Sequence, residues 1–208
     1  MTVTTVQRLA DDVRALAAHR GGRTIIGIAG APGAGKSTLA EALVDAVVGA
    51  ALVPMDGFHL SQRMLTSLGR ADRKGAPDTF DIDGLVNLLA RIRAEQAPVY
   101  FPVFDRSIEE PIAAGGVAAP EHQIVIVEGN YLLLDGPWRR IRELLDETWF
   151  LELADATRRE RLVARHMRFG RSESEARAWV AEVDEPNAQR IKATLADADR
   201  VIALEAGG

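Results

Sequence analysis

A chain of 208 residues is long enough for one domain with a substantial core, and its 47% hydrophobic and 26% charged composition is that of an ordinary soluble globular protein. A net charge of −5 argues against a general nucleic-acid binder, and the absence of cysteine excludes disulfides, cysteine-ligated zinc and thiol catalysis. Met1 to Arg8 lacks the apolar stretch of a signal peptide, and the longest uncharged apolar run, Ala46 to Met55, is too short to span a bilayer, so the expected compartment is the cytoplasm.

Val6, Leu9, Val13, Leu16 and Ala17 predict an amphipathic helix over 5–19, ended by Gly21-Gly22. Thr24 to Ala29 reads as a fully buried strand. It leads into Gly30-Ala31-Pro32-Gly33-Ala34-Gly35-Lys36-Ser37, the G-x-x-x-x-G-K-[ST] pattern of a Walker A loop. Thr38 follows, then apolar residues at helical spacing from Leu39 to Val47. Strand, glycine loop and helix together make the pattern a phosphate site. The glycines let backbone N–H groups wrap an anion, and the helix adds its positive dipole end. In such a loop Lys36 reaches the β- and γ-phosphates of ATP and the Ser37 hydroxyl ligates Mg²⁺.

Ala51 to Met55 reads as a second strand that delivers Asp56 to its carboxyl end, with Pro54 marking a sheet edge or a strand end. A short helix is expected over 59–68 and a loop over 69–80. Asp83 is expected to cap a helix running to about Ala94. Val99 to Phe104 reads as a strand, 105–120 as an irregular or hairpin excursion, and Ile124 to Val127 as the most strand-like run of all. A short helix at 139–145, a strand at 148–153, helices at about 155–169, 173–183 and 187–196, and a strand at 201–204 complete the pattern. Apolar strands alternating with amphipathic helices predict an α/β fold with a mostly parallel sheet of about five strands, covered on both faces.

Residues at the carboxyl ends of parallel strands face the ligand crevice, which puts Asp56 and Glu128 on the rim that carries the phosphate loop. Phosphoryl transfer needs a base for the attacking hydroxyl and groups that hold Mg²⁺ on the phosphate, and two carboxylates there fit both jobs. On a helix, Arg158, Arg161, Arg165 and Arg168 fall within an arc of roughly 80°, with Val163 and Met167 opposite for packing. Such a basic face can lie over transferring phosphates as a helical lid near 155–185. His59 and His166 have no evident carboxylate partner at ligand spacing and are read as loop and lid structure.

Taken together these residues resemble the phosphoribulokinase, uridine kinase and bacterial pantothenate kinase family of P-loop kinases. The segments that carry the resemblance run in the family's order from Thr24 onward: Met55-Asp56-Gly57-Phe58-His59, Lys74-Gly75-Ala76-Pro77-Asp78-Thr79-Phe80-Asp81, Val127-Glu128-Gly129-Asn130, Arg165, and Glu185-Pro186-Asn187. The resemblance implies a P-loop NTPase three-layer sandwich in a single domain spanning 1–208. It also implies a catalytic aspartate at Asp56, a glutamate near the metal at Glu128, a lid arginine at Arg165 and an acceptor-facing asparagine at Asn187. The pattern is most similar to short bacterial members described as fructose-transport-system or nucleoside/nucleotide kinases. It departs from the pantothenate branch at Phe104, Arg106 and Leu162, where that branch has tyrosine, histidine and tyrosine, and from the uridine branch at Gly75, where that branch has an aspartate.

The expected activity is transfer of the γ-phosphate of ATP, with Mg²⁺, to a hydroxyl of a small polar metabolite. A sugar or sugar-like alcohol is favoured, ahead of pantothenate-like or nucleoside acceptors. Arg106 reads the acceptor or pairs with Glu109 or Glu110. Neither nucleic acid nor membrane is an expected partner, and a homodimer is left open. A different class, an ATP-binding switch or scaffold with slow hydrolysis, fits the loop but gives Asp56 no obvious role.

Overall fold

The structure, a computed structural model, describes residues 1–205. Its centre is a six-stranded sheet in which every neighbouring pair is parallel. In chain order the strands are β1 (Thr2–Thr4), β2 (Thr24–Ala29), β3 (Ala50–Pro54), β6 (Ile124–Glu128), β7 (Glu147–Leu151) and β8 (Arg200–Leu204), and across the sheet they lie β1-β8-β7-β2-β6-β3. The strand added to the five expected is β1, only three residues long and exposed at two of them. β3 is an edge strand with Pro54 at its end, where the missing N–H costs no central ladder bond.

β2 and β6 are buried along their whole length because both faces are covered. Their side chains alternate between two cores. Ile26, Ile28, Ile124 and Ile126 meet α1 (Val6–Ala18) and α2 (Lys36–Ala46) through Leu9, Val13, Leu39 and Leu43. Ile25, Val125 and Val127 face the opposite layer, where α4 (Ile82–Ala94) contributes Leu85, Leu88, Leu89 and Ile92. Two helix layers on one sheet give the three-layer sandwich that the alternating pattern predicts.

The excursion at 105–120 is a hairpin. β4 (Val99–Asp105) pairs antiparallel with β5 (Glu110–Ala118), and the register slips between Phe101 and Val103, at Pro102, which has no N–H to donate. Asp81, not Asp83, caps α4, accepting from the Gly84 N–H at 2.9 Å. The helix expected over 59–68 is shortened to α3 (Gln62–Ser67), because His59 instead forms a β-bridge with Phe80. α5 is a single turn (Arg139–Arg142).

The last helical region departs most from expectation. α6 spans Asp155–Arg168, but α7 (Glu173–Trp179) continues through a π-helical turn at Val180–Asp184 into α8 (Glu185–Lys192) without a break. Pro186 stands second in α8, and the wider π turn before it absorbs the hydrogen bond that proline cannot make. Among the described residues no helix is long and apolar enough to cross a membrane.

Candidate active site

Register fixes the rim. Ile28 of β2 and Pro54 of β3 both lie opposite Glu128 of β6, so the chain leaves β2 into the phosphate loop and β3 into Asp56 at one level, beside Glu128. The loop is built on left-handed and extended glycines: Gly33 and Gly35 have φ of 81° and 99°. A Cβ on Gly33 would lie 2.8 Å from Leu162 Cγ and 2.9 Å from the Arg158 carbonyl oxygen, so the loop tip seats against α6 only if that position is bare. Ala31, Pro32 and Ala34 are buried, and Thr38 is exposed one residue beyond Ser37.

Lys36 is the most constrained cation. Its Nζ donates to Asn130 Oδ1 at 2.6 Å and to the Ala31 carbonyl at 3.3 Å. Burial lowers its pKa, and the charges of Glu128 and Asp56 oppose that shift. The Ser37 hydroxyl donates to Glu128 Oε1 at 3.3 Å. Burial first, and the Asp56 charge second, push the Glu128 carboxyl up to about 7, against the pull of Lys36 and Ser37. A hydroxyl and a carboxylate at this spacing suit a hard cation that keeps several waters or phosphate oxygens in its shell. Among the described residues no group of three or more His, Asp or Glu side chains could close a cage around a metal. The donor set therefore fits Mg²⁺ carried in with phosphates, and Ser37 and Glu128 are the residues that would hold it.

Asp56 is the second residue of a 3₁₀ turn, Met55–Phe58, pressed against the hairpin. A Cβ on Gly57 would stand 2.0 Å from the Pro102 carbonyl oxygen, so glycine is what lets the turn approach β4 so closely. That contact brings the end of β4 over the turn, and Arg106 Nη2 donates to Asp56 Oδ2 at 3.0 Å. Arg106 thus pairs with neither Glu109 nor Glu110. Glu110 Oε1 instead accepts from the Gln62 N–H. His59 lies behind the turn, its ring 4.0 Å from that of Phe80 and 4.8 Å from that of Phe104, and burial holds its pKa down. Its Nδ1 lies 2.8 Å from the Asp56 carbonyl oxygen, so the ring packs into the turn as a loop residue would.

The basic stripe of α6 divides. Arg161 reaches the phosphate loop, with Nη1 3.5 Å from where a Cβ on Gly35 would sit. Arg165 is half-buried and has no ion pair or side-chain hydrogen bond among the described residues; burial and the neighbouring Arg106 charge lower its pKa. Arg168 is exposed. Arg158 does not belong to the exposed face. It is fully buried and donates to Glu185, to Asp155 Oδ1 at 3.3 Å and to the Pro32 carbonyl at 3.4 Å, tying the root of α6 to both α8 and the phosphate loop. Leu162 and Val163 form the packing face with Ala176 and Val180, while Met167 is exposed instead of packed. Arg158→Ala should destabilise the fold by about 2–3 kcal/mol, since it removes a fully buried side chain and its charge-assisted hydrogen bonds, while Asp155 keeps Lys192 and Glu185 keeps Gln189 as partners. A urea midpoint unchanged from wild type would contradict this role.

His166, read as lacking a carboxylate partner, has one: its Nε2 lies 2.7 Å from Asp184 Oδ2, in the π turn. Asn187 is half-buried in the first turn of α8, and its side chain makes no hydrogen bond among the described residues. Two residues that sequence reasoning missed join the site. Asn130 holds Lys36, and the Tyr131 hydroxyl donates to the Gly75 carbonyl at 2.5 Å, pinning the 74–75 segment. Their position just beyond a buried parallel strand was the available signal.

A sequence profile of the Phosphoribulokinase / Uridine kinase family matches residues 25–204. A solved structure from Silicibacter sp. TM1040, described as a "putative fructose transport system kinase", is 37% identical with a TM-score of 0.88, covering 95% of this chain and 98% of that one. "Putative uridine kinase C227.14" of Schizosaccharomyces pombe is 36% identical over 172 residues, 75% of this chain and 72% of its own. YggC of Escherichia coli, an uncharacterized protein, is 33% identical over 194 residues, 89% of this chain and 80% of its own. The first two names differ in the acceptor they suggest and agree on a kinase, and the third names no activity. With a Walker A loop at the centre of a parallel sheet and a family match over nearly the whole chain, the protein belongs to the phosphoribulokinase/uridine kinase family of P-loop kinases.

Proposed function

We propose that the chain is an ATP-dependent kinase that transfers the γ-phosphate to a hydroxyl of a small polar metabolite, with a sugar or sugar-like alcohol as the favoured acceptor. The observation that carries this reading is the placement of Asp56, a carboxylate at a strand end facing the same crevice as the phosphate loop and Lys36. Asp56 takes the proton of the acceptor hydroxyl as its oxygen attacks the γ-phosphorus, and ADP leaves with the bridging oxygen. The loop amides of Gly30 to Thr38 and the Lys36 ammonium hold the phosphates, and Arg161 and Arg165 cover them from α6. Mg²⁺, when bound at Ser37 and Glu128, neutralises charge that develops on the phosphate oxygens. Arg106 and Asn187 orient the acceptor. In this reading the whole chain is one kinase domain, and residues 155–185 form its lid.

A pantothenate-type acceptor is supported by the half-buried, unbonded Asn187 beside Pro186, and a nucleoside acceptor by the name of the yeast relative. The test is ADP release with ATP and Mg²⁺ over a panel of sugars, sugar alcohols, pantothenate and nucleosides. Release that depends on one small molecule supports the kinase and names its class. Release unmoved by every small molecule but raised by a protein would instead make the chain a nucleotide-dependent switch.

A further inference from the structure

Asn130 leaves the sheet between the two halves of the candidate site. The Gly129 N–H still donates to the Ile28 carbonyl at 3.1 Å, so the chain quits β6 while bonded to the strand that carries the phosphate loop. A Cβ on Gly129 would stand 2.5 Å from Met55 Cβ, which puts the same exit tight against the turn that bears Asp56. On the other flank Tyr131 is buried, its hydroxyl donates to the Gly75 carbonyl, and Leu132 and Leu133 are buried behind it. Asn130 is therefore a half-buried polar side chain held between two anchored neighbours.

The bond to Lys36 fixes which way the amide faces. An ammonium has protons to give and no lone pair, so at 2.6 Å it must meet Oδ1, and Nδ2 points the other way. Among the described residues, the side-chain atoms buried without a partner are Thr24 Oγ1 and Glu110 Oε2. The Asn130 Nδ2 makes no hydrogen bond within the described residues and is not one of these, so it is open to the crevice. Two of the three Lys36 protons go to Asn130 Oδ1 and the Ala31 carbonyl, which leaves the third for a phosphate. One planar amide thus separates that cation from a second donor.

We infer that the Asn130 amide is a ligand of the transferring γ-phosphoryl group, donating through Nδ2 to one of its non-bridging oxygens. This rests on the kinase reading and adds a catalytic residue to it. The phosphate loop follows β2, Asp56 follows β3, and β6 lies between those two strands in the sheet. The phosphorus travels from the first to the second. Its bond to the bridging oxygen of ADP breaks, a bond to the acceptor oxygen forms, and the acceptor proton passes to Asp56. A donor just past the end of the middle strand faces the stretch where the non-bridging oxygens carry the charge of the transition state. Being neutral, the amide supplies that donor without competing with Lys36 or Mg²⁺ for the Glu128 carboxylate. Held by Lys36 on one side and by buried neighbours along the chain, it needs no reorganisation at the moment of transfer.

The test compares nucleotides that differ only beyond the β-phosphate. Calorimetry with Mg²⁺ measures ADP, the ATP analogue with an imido bridge, and ADP with tetrafluoroaluminate, which mimics the phosphoryl group in flight. Asn130→Ala should leave ADP affinity nearly unchanged, because Lys36 keeps the Ala31 carbonyl and the charges of Glu128 and Asp56 beside it. The same variant should weaken the imido analogue about 10-fold and the fluoroaluminate complex about 100-fold, the span of one hydrogen bond to a charged group. Asn130→Asp keeps the shape and an acceptor for Lys36 but replaces the donor by an oxygen that repels phosphate. It should lose the preference for the fluoroaluminate complex over ADP at least as fully, with a melting temperature close to wild type. In a Lys36→Ala background, Asn130→Ala should weaken the imido analogue by a further factor of about 10, as an independent contact does. Equal weakening of all three ligands, or no further loss in the Lys36→Ala background, makes Asn130 a prop for Lys36 alone and overturns the assignment. Affinities unchanged in both Asn130 variants overturn it as well. A wild-type protein that binds none of the three ligands overturns the kinase reading beneath it instead.

Discussion

Lys36→Ala is expected to lower kcat by about 10²–10³, the loss seen when one preorganised electrostatic donor is removed from a transition state. The fold should survive. Lys36 is buried, yet it contributes a charge to the rim, not apolar surface to either core. Burying that charge is itself unfavourable, as its lowered pKa records, so its removal relieves desolvation. Two costs oppose this: Asn130 Oδ1 loses its donor, worth about 1 kcal/mol, and the buried Glu128 loses the pull of Lys36, which it answers by holding its proton more tightly. Thermal melting within a few degrees of wild type, together with loss of ATP-dependent turnover, is the expected pair of results. Near-normal turnover in the variant would falsify the phosphate-loop reading.

The parts of this site that could be read from sequence are those whose chemistry lies in one contiguous stretch. Gly30 to Ser37 carries its own backbone geometry, and the buried runs of β2 and β6 are long enough to show their burial without a partner. Pro54 announced a sheet edge or a strand end, and it is both, because the constraint is local to its own nitrogen. β1 is the opposite case. Thr2–Thr4 becomes a strand only by pairing with Ile202 to Leu204, at the far end of the chain, and nothing in three threonine- and valine-rich residues encodes that. Helical periodicity placed Arg158 on the basic face correctly as an angle, but burial is set by what packs there. Glu185 comes 27 residues later and Pro32 126 earlier, so the inward turn of Arg158 was invisible. The same holds for His166 and Asp184, and for Arg106, whose nearest acidic neighbours in sequence lost to a carboxylate 50 residues away. Local chemistry is legible; choice among distant charged partners is decided by the fold.

Asp56→Asn should leave ATP affinity nearly unchanged and reduce kcat by about 10²–10⁴, the span associated with loss of a general base. The two sites are mechanically separate enough for this to be a clean experiment. The phosphate loop is carried by β2 and α2, whereas Asp56 stands on the turn after β3, held by the Gly57–Pro102 approach that an asparagine does not disturb. The amide keeps the shape of the carboxylate and can still accept from Arg106. What is lost is a half-exposed ion pair worth at most about 1 kcal/mol, so unfolding should barely move. A second consequence discriminates between roles. The Asp56 charge is one of the two causes that raise the Glu128 carboxyl, so its removal makes Glu128 easier to ionise and leaves the Ser37–Glu128 pair no weaker as a cation site. If Asp56 is the base, nucleotide titration with Mg²⁺ gives a wild-type dissociation constant and single-turnover transfer is slow. If Asp56 instead holds metal or structure, the order reverses: Mg²⁺-dependent nucleotide binding weakens, and the complexes that do form transfer phosphate at close to the normal rate.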